Sequence, residues 1–128
     1  MEKQLFIASR LREVLLNGHW IANTNYQEQL ADISWEQAIL KINNLNTIAA
    51  LTYHINYYLK GLLAAFETGK LEINDKYSFD LPEITSKTDW DELRHDFIRN
   101  AERFADKIEQ FDTEIFSQPF LMRNMVPI

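Results

Sequence analysis

The chain has 128 residues, 46% of them hydrophobic, with three glycines, three prolines and no cysteine. That length supports one globular domain spanning residues 1–128, and so few turn formers argue against a barrel or sandwich of many short strands. The absence of cysteine removes disulfides, thiolate catalysis and Cys-ligated metal centres. Thirteen basic residues against nineteen acidic ones give a formal charge of −6. With no Lys/Arg cluster to interrupt that balance, nucleic acid is not an expected partner. Neither a signal-peptide pattern nor an uncharged apolar stretch of about 18 residues occurs, so no membrane is expected and the protein reads as soluble and cytoplasmic.

Between Glu2 and Asn17, Leu5, Ile7, Ala8, Leu11, Val14 and Leu15 recur at helical spacing, which predicts a first amphipathic helix. Gly18 is expected to stop it in a left-handed conformation. From His19 to Ile33 periodicity is weak, and this stretch reads as a long connection anchored by Trp20, Ile21 and Tyr26.

Ser34 and Gln37 have the spacing of a capping box, so a second helix is expected from Trp35. Interrupted by nothing but Gly61 before Gly69, it would run about 34 residues and reach roughly 51 Å. Gly69 to Lys87 reads as an ordered acidic strap in which Tyr77, Phe79 and Leu81 alternate against an apolar surface. Thr88, spaced from Asp91 as a cap, opens a third helix, with Asp89, Asp91 and Glu92 in its first turn. There Trp90, Leu93, Phe97, Ala101, Phe104, Ile108 and Phe111 keep alternating three- and four-residue spacing. The remaining residues, Asp112 to Ile128, are too apolar for a free tail.

His54 falls mid-helix at the edge of the apolar stripe, where an imidazole serves either as a hydrogen-bonded core residue or as a metal ligand. His19 follows a helix stop and His95 sits on a polar face. No two histidines are three or four residues apart. Tyr53, Tyr57 and Tyr58 around His54 are read as a hydrogen-bonded core layer or as the wall of a small-molecule pocket. The carboxylates Asp75, Asp80 and Glu83 are assigned to loop solvation, and those of Asp89, Asp91 and Glu92 to the helix start.

The string Leu51-Thr52-Tyr53-His54-Ile55-Asn56-Tyr57-Tyr58-Leu59, with Ser34-Trp35-Glu36 before it and Lys76-Tyr77-Ser78-Phe79-Asp80-Leu81-Pro82 and Asp89-Trp90 after it, resembles the DinB-like (YfiT-like) superfamily over residues 1 to about 118. The resemblance implies an all-α, up-down four-helix bundle, often dimeric, related to divalent-metal-dependent hydrolases and thiol transferases. His54 matches the family's second-helix metal ligand, which implies a cation of the Zn, Ni or Mn class. The family's His-x-x-x-His pair has no counterpart after residue 95. The resemblance therefore implies three long helices, a shortened C-terminal segment and an incomplete metal site. Two expectations of function follow: residual metal chemistry at His54, or a catalytically silent bundle that forms a homodimer or takes a partner helix.

Overall fold

A computed structural model describes residues 3–18 and 25–110. Among these residues every regular element is helical. The expectations for His19, Trp20, Ile21, Phe111 and the segment 112–128 lie outside the described residues.

Helix α1 spans Lys3–Arg12 and widens into a π-helical turn over Glu13–Asn17. Gly18 N–H closes that turn on the Glu13 carbonyl at 3.1 Å. Gly18 ends the helix as expected, but for a different reason. Its φ of −107° is extended, not left-handed. What excludes a side chain is space, because a Cβ would lie 2.4 Å from Glu13 Cα.

The expected irregular connection contains a short helix, α2, Tyr26–Ala31. Asn25 sets its start by accepting from Glu28 N–H at 2.8 Å, and it ties this start to α1 by donating to the Gly18 carbonyl at 2.7 Å. Helix α3 is a single turn, Trp35–Ala38, with the expected capping box: Ser34 Oγ accepts from Gln37 N–H at 3.2 Å and Gln37 Oε1 accepts from Ser34 N–H at 2.9 Å.

The second helix does not run from Trp35 to Gly69. It is broken between Ile39 and Thr47, and α4 begins afresh as Ile48–Thr68. Asn43 takes φ of +51°, which asparagine tolerates better than most residues, and Thr47 Oγ1 caps α4 by accepting from Ala50 N–H at 3.0 Å. Gly69, at φ +77°, ends α4 in the left-handed conformation.

The strap from Gly69 is ordered, with one 3₁₀ turn at Asp75–Tyr77, and leads into α5, Lys87–Gln110. The cap of α5 is Ser86, not Thr88: Ser86 Oγ accepts from Asp89 N–H at 3.1 Å, and Asp89 returns the contact by accepting from Thr85 N–H at 2.9 Å. Tyr77 and Phe79 are exposed at their outer edges, while Ser78 and Ile84 are the strap residues most deeply buried.

Asn56 and Lys60 meet Asp96, while Phe66 meets Phe104 and Glu67 meets Arg103. Position therefore increases together along both helices, and α4 and α5 run parallel. The strap makes this possible by returning the chain along α4, with Ile73 beside Gly61 and Phe79 beside His54. Strict up-down alternation does not hold across it.

Helix α1 lies on the other flank of α5 and runs antiparallel to it. Arg12 pairs with Asp106 and Glu109, and beyond the α1 end Tyr26 reaches back to Phe97. Helix α5 is the shared wall, and its Trp90, Phe97, Ala101, Phe104 and Ile108 are buried against Ala8, Leu15 and Leu16 on one side and Leu59 and Leu63 on the other. Burial of large apolar side chains at about 1.5–3 kcal/mol each is the main force holding the three long segments together. Trp90 Nε1 also donates to the Ile33 carbonyl at 2.9 Å, locking the start of α5 to the α2–α3 junction.

Candidate functional site

Helix α4 carries the residues singled out from the sequence, and successive residues on a helix turn by about 100°. The tyrosine group is consequently divided. His54 and Tyr58 face the middle of the strap, Tyr57 faces its Asn74, and Tyr53 lies toward α5.

The His54 ring stacks on Phe79, with centroids 4.1 Å apart and planes 7° apart, and meets Tyr58 edge-on at 5.1 Å. Its Nδ1 is buried without a hydrogen-bond partner. Tyr58 O–H donates to Asp75, and this bond, before burial of the phenol, raises the Tyr58 pKa above the ordinary tyrosine range. Asp75 is thereby the acceptor for a phenol and not a free carboxylate.

Tyr57 O–H donates to the Asn74 carbonyl at 2.9 Å and accepts from Asn74 N–H at 2.8 Å. Asn74 opens the 3₁₀ turn, where its carbonyl also accepts from Tyr77 N–H at 2.9 Å, so the Tyr57 phenol supplies the partner for its N–H and a second donor for its carbonyl. The phenols of Tyr57 and Tyr58 thus hold the strap on α4 from partly exposed positions and do not form a buried core layer. Tyr53 lines a hollow of about 410 Å³ between α4, the strap and α5 with Asn56, Lys60, Leu93 and Asp96, and shares a second, of about 390 Å³, with Tyr57 beside Gly61 and Ile73.

A polar seam that the sequence reading did not single out forms the inner side of this hollow. Asn100 Nδ2 donates to Asn56 Oδ1 at 2.9 Å, and Asn56 Nδ2 donates to Asp96 Oδ2 at 2.9 Å. Both asparagines are only 4% exposed. Partial burial pushes the Asp96 carboxyl up, but hydrogen bonds from Arg99 and Asn56 and the charges of Lys60 and Arg99 outweigh it, and the net shift is downward. An asparagine on each of two otherwise apolar helix faces was the available signal, but it acquires meaning only once the register of α4 on α5 is known.

Asp89 and Asp91 serve the helix start, as expected. Asp89 accepts from Thr85, and Asp91 accepts from Lys87 at 2.6 Å and Arg94 at 3.1 Å. Backbone and side-chain bonds from Thr85 lower the Asp89 pKa, and the Lys87 bond lowers that of Asp91. His95 is exposed.

A metal at His54 would need further donors converging on the ring. Among the described residues no group of three His, Asp or Glu side chains is placed to hold an ion, and the ring's near neighbours are Phe79 and Tyr58. The donor set of the described residues does not fit a three-ligand centre. No helix among them is long and apolar enough to cross a membrane.

Among the described residues an open apolar surface lies at the opposite end of α4 from the Phe66–Phe104 stack. Ile39, Leu40, Ile42 and Leu45 in the α3–α4 break, with Ile48 and Leu51 in the first turn of α4, are all exposed, Leu40 to 60% and Leu45 to 65%. Leu40, Ile42, Leu45 and Ile48 share the wall of one hollow of about 420 Å³ with the polar Gln29, Asp32, Gln37 and Asn46, so this exposed ridge is apolar with a polar border. Comparison of the chain with protein-family models, with curated protein sequences and with solved structures gives no match.

Proposed function

We propose that this chain is a DinB-like helical domain that keeps the family's His54 position without the rest of its metal site, and that it acts by association through an apolar face and not by turnover. The exposed ridge from Ile39 to Leu51 carries this reading, because contiguous apolar surface of this kind on a folded domain marks an interaction site. The packing of His54 accords with it. A ring stacked on Phe79 and edged by Tyr58 serves to fix the strap, and the phenols beside it have their hydrogen bonds within the chain.

In the DinB-like reading a fourth helix would complete a bundle around α5. The strap returning along α4 ahead of α5 and the place of His54 on α4 support that resemblance. A fourth element would stand between α1 and α4, which both pack on α5 but make little contact with each other.

A second reading is favoured by one atom. The unpartnered Nδ1 of His54 is the kind of donor that a divalent cation of the Zn, Ni or Mn class takes, with its other ligands supplied from outside the described residues. Elemental analysis of protein purified without chelator separates the two readings. The association reading predicts no stoichiometric metal in wild type or in His54→Ala. One ion per chain in wild type, lost in His54→Ala, would replace it with the metal reading.

A further inference from the structure

We infer that the groove between α4 and α5, overhung at one end by the strap, binds a short peptide of about three residues by both of its charged ends. This goes beyond the association reading, because the groove shares no lining residue with the ridge hollow.

The hollow of about 410 Å³ under the strap meets a second, of about 290 Å³, at Lys60, Asp96 and Arg99, so the two form one groove along the parallel helices. The larger hollow lies toward the start of α5 and the smaller one toward Asn100 and Arg103.

Its floor is the polar seam, and Asp96 sets the direction of every bond in it. An ionised carboxylate can only accept, so Asn56 must turn Nδ2 toward Asp96 and Oδ1 toward Asn100, which must then present its own Nδ2. Asn100 Oδ1 is thereby left as an acceptor with no donor among the described residues, on a side chain only 4% exposed that lines the smaller hollow. Asn56 Nδ2, in the wall of the larger hollow, keeps a second N–H. Buried amides of this kind take partners, and a peptide unit supplies both of the missing ones, an N–H for Asn100 and a carbonyl for Asn56.

Charge is divided between the two ends. Glu83 and Glu92 border the larger hollow, exposed and without a cation partner among the described residues. Around the smaller hollow stand Lys60, Arg99 and Arg103 against Asp96 and Glu67, one cation more than anions. Two of these cations are loosely held: Lys60 Nζ is 4.0 Å from Asp96, and Arg103 is 3.7 Å from Glu67. An ammonium therefore belongs at the strap end and a carboxylate at the other.

Spacing selects the ligand. Glu92 and Arg99 are seven residues apart on α5, about 10 Å, which three extended residues span and the adjoining charges of a single amino acid do not. Tyr53, Leu81 and Leu93 wall the acidic end, so an apolar first residue fits there.

The test titrates the full ¹⁵N-labelled chain with leucyl-glycyl-glycine to about 10 mM and follows its amide spectrum. The side-chain amide signals of Asn56 and Asn100 are expected to move, with a Kd in the millimolar range or below. Lys60→Gln and Glu92→Gln should each weaken binding about threefold to tenfold, as should acetylating the peptide's amine or amidating its carboxylate. Both side chains are exposed, so the variants should melt with wild type. Glu92→Gln should narrow the difference between free and acetylated peptide, and Lys60→Gln the difference between acid and amide. A structural effect of either substitution would not sort by the end of the peptide.

An unchanged spectrum overturns the inference. So do shifts that free leucine reproduces at the same concentration, shifts that spare the Asn56 and Asn100 amides, or binding indifferent to the two caps and the two variants. The ridge is untouched in all of these proteins, so failure here leaves the association reading standing.

Discussion

Asn56 and Asn100 hydrogen-bond inside an interface otherwise made of Leu59, Leu63, Phe97 and Phe104. Two buried amides that satisfy each other add little net stability, but removing one leaves the other unpaired. Asn100→Leu is therefore expected to cost about 1–3 kcal/mol in urea unfolding despite its greater apolarity. An unchanged unfolding midpoint would show that Asn56 finds another donor. Asp96, at the outer end of the seam, makes the stability of the chain depend on pH. Its folded pKa lies below the unfolded carboxylate value of 3.8, so its contribution is present in full above that value and is lost as pH falls through the folded value. Asp96→Asn should flatten the acid limb of a plot of unfolding free energy against pH, and an unaltered limb would dissociate Asp96 from acid unfolding.

Among the elements, the strap is joined to α4 by Tyr57, Tyr58, His54 and the close fit of Ile73 on Gly61. Tyr57→Phe removes both bonds to Asn74 and should cost about 1 kcal/mol, with faster amide exchange at Asn74 as its local signature. Gly61→Ala should not give the ~1 kcal/mol that alanine brings to a helix interior, because its Cβ would lie 2.4 Å from Ile73 Cγ1. In an Ile73→Ala background the same substitution should become stabilising, and a gain in both backgrounds would mean that the strap yields freely.

The legibility of each element followed from the range of its contacts. The Ser34–Gln37 box and the α5 stripe were readable because both partners of each contact lie within a turn or two. The single helix expected from Trp35 to Gly69 rests on the Ser34 cap and the lack of a breaking residue other than Gly61, although Ile39, Ile42, Leu45, Ile48 and Leu51 recur every three residues. A strict three-residue spacing drifts by about 60° per step on an α-helix, so these five could not share one face. Asn43, Asn44, Asn46 and Thr47 among them mark a turn and a cap. The place of His54 within a helix is legible in the sequence, but its stacking partner Phe79 cannot be read from local spacing, and neither can the parallel course of α4 and α5.

The whole molecule combines a helical body of net negative charge with an exposed apolar ridge at one end of α4, in a stretch of sequence that has no Asp or Glu between Glu36 and Glu67. The central claim is that His54 holds the strap and that the chain acts by association. A bound ion stabilises a native state by RT ln(1 + [L]/Kd), so a working metal site would register in the unfolding temperature. The direct measurement is the thermal midpoint of wild type and His54→Ala, each recorded in chelator and in excess Zn²⁺, Ni²⁺ or Mn²⁺. The account predicts a lower midpoint for His54→Ala from lost packing and no cation-dependent difference between the two proteins. A rise of several degrees in wild type with any of these cations, absent from His54→Ala, would contradict it.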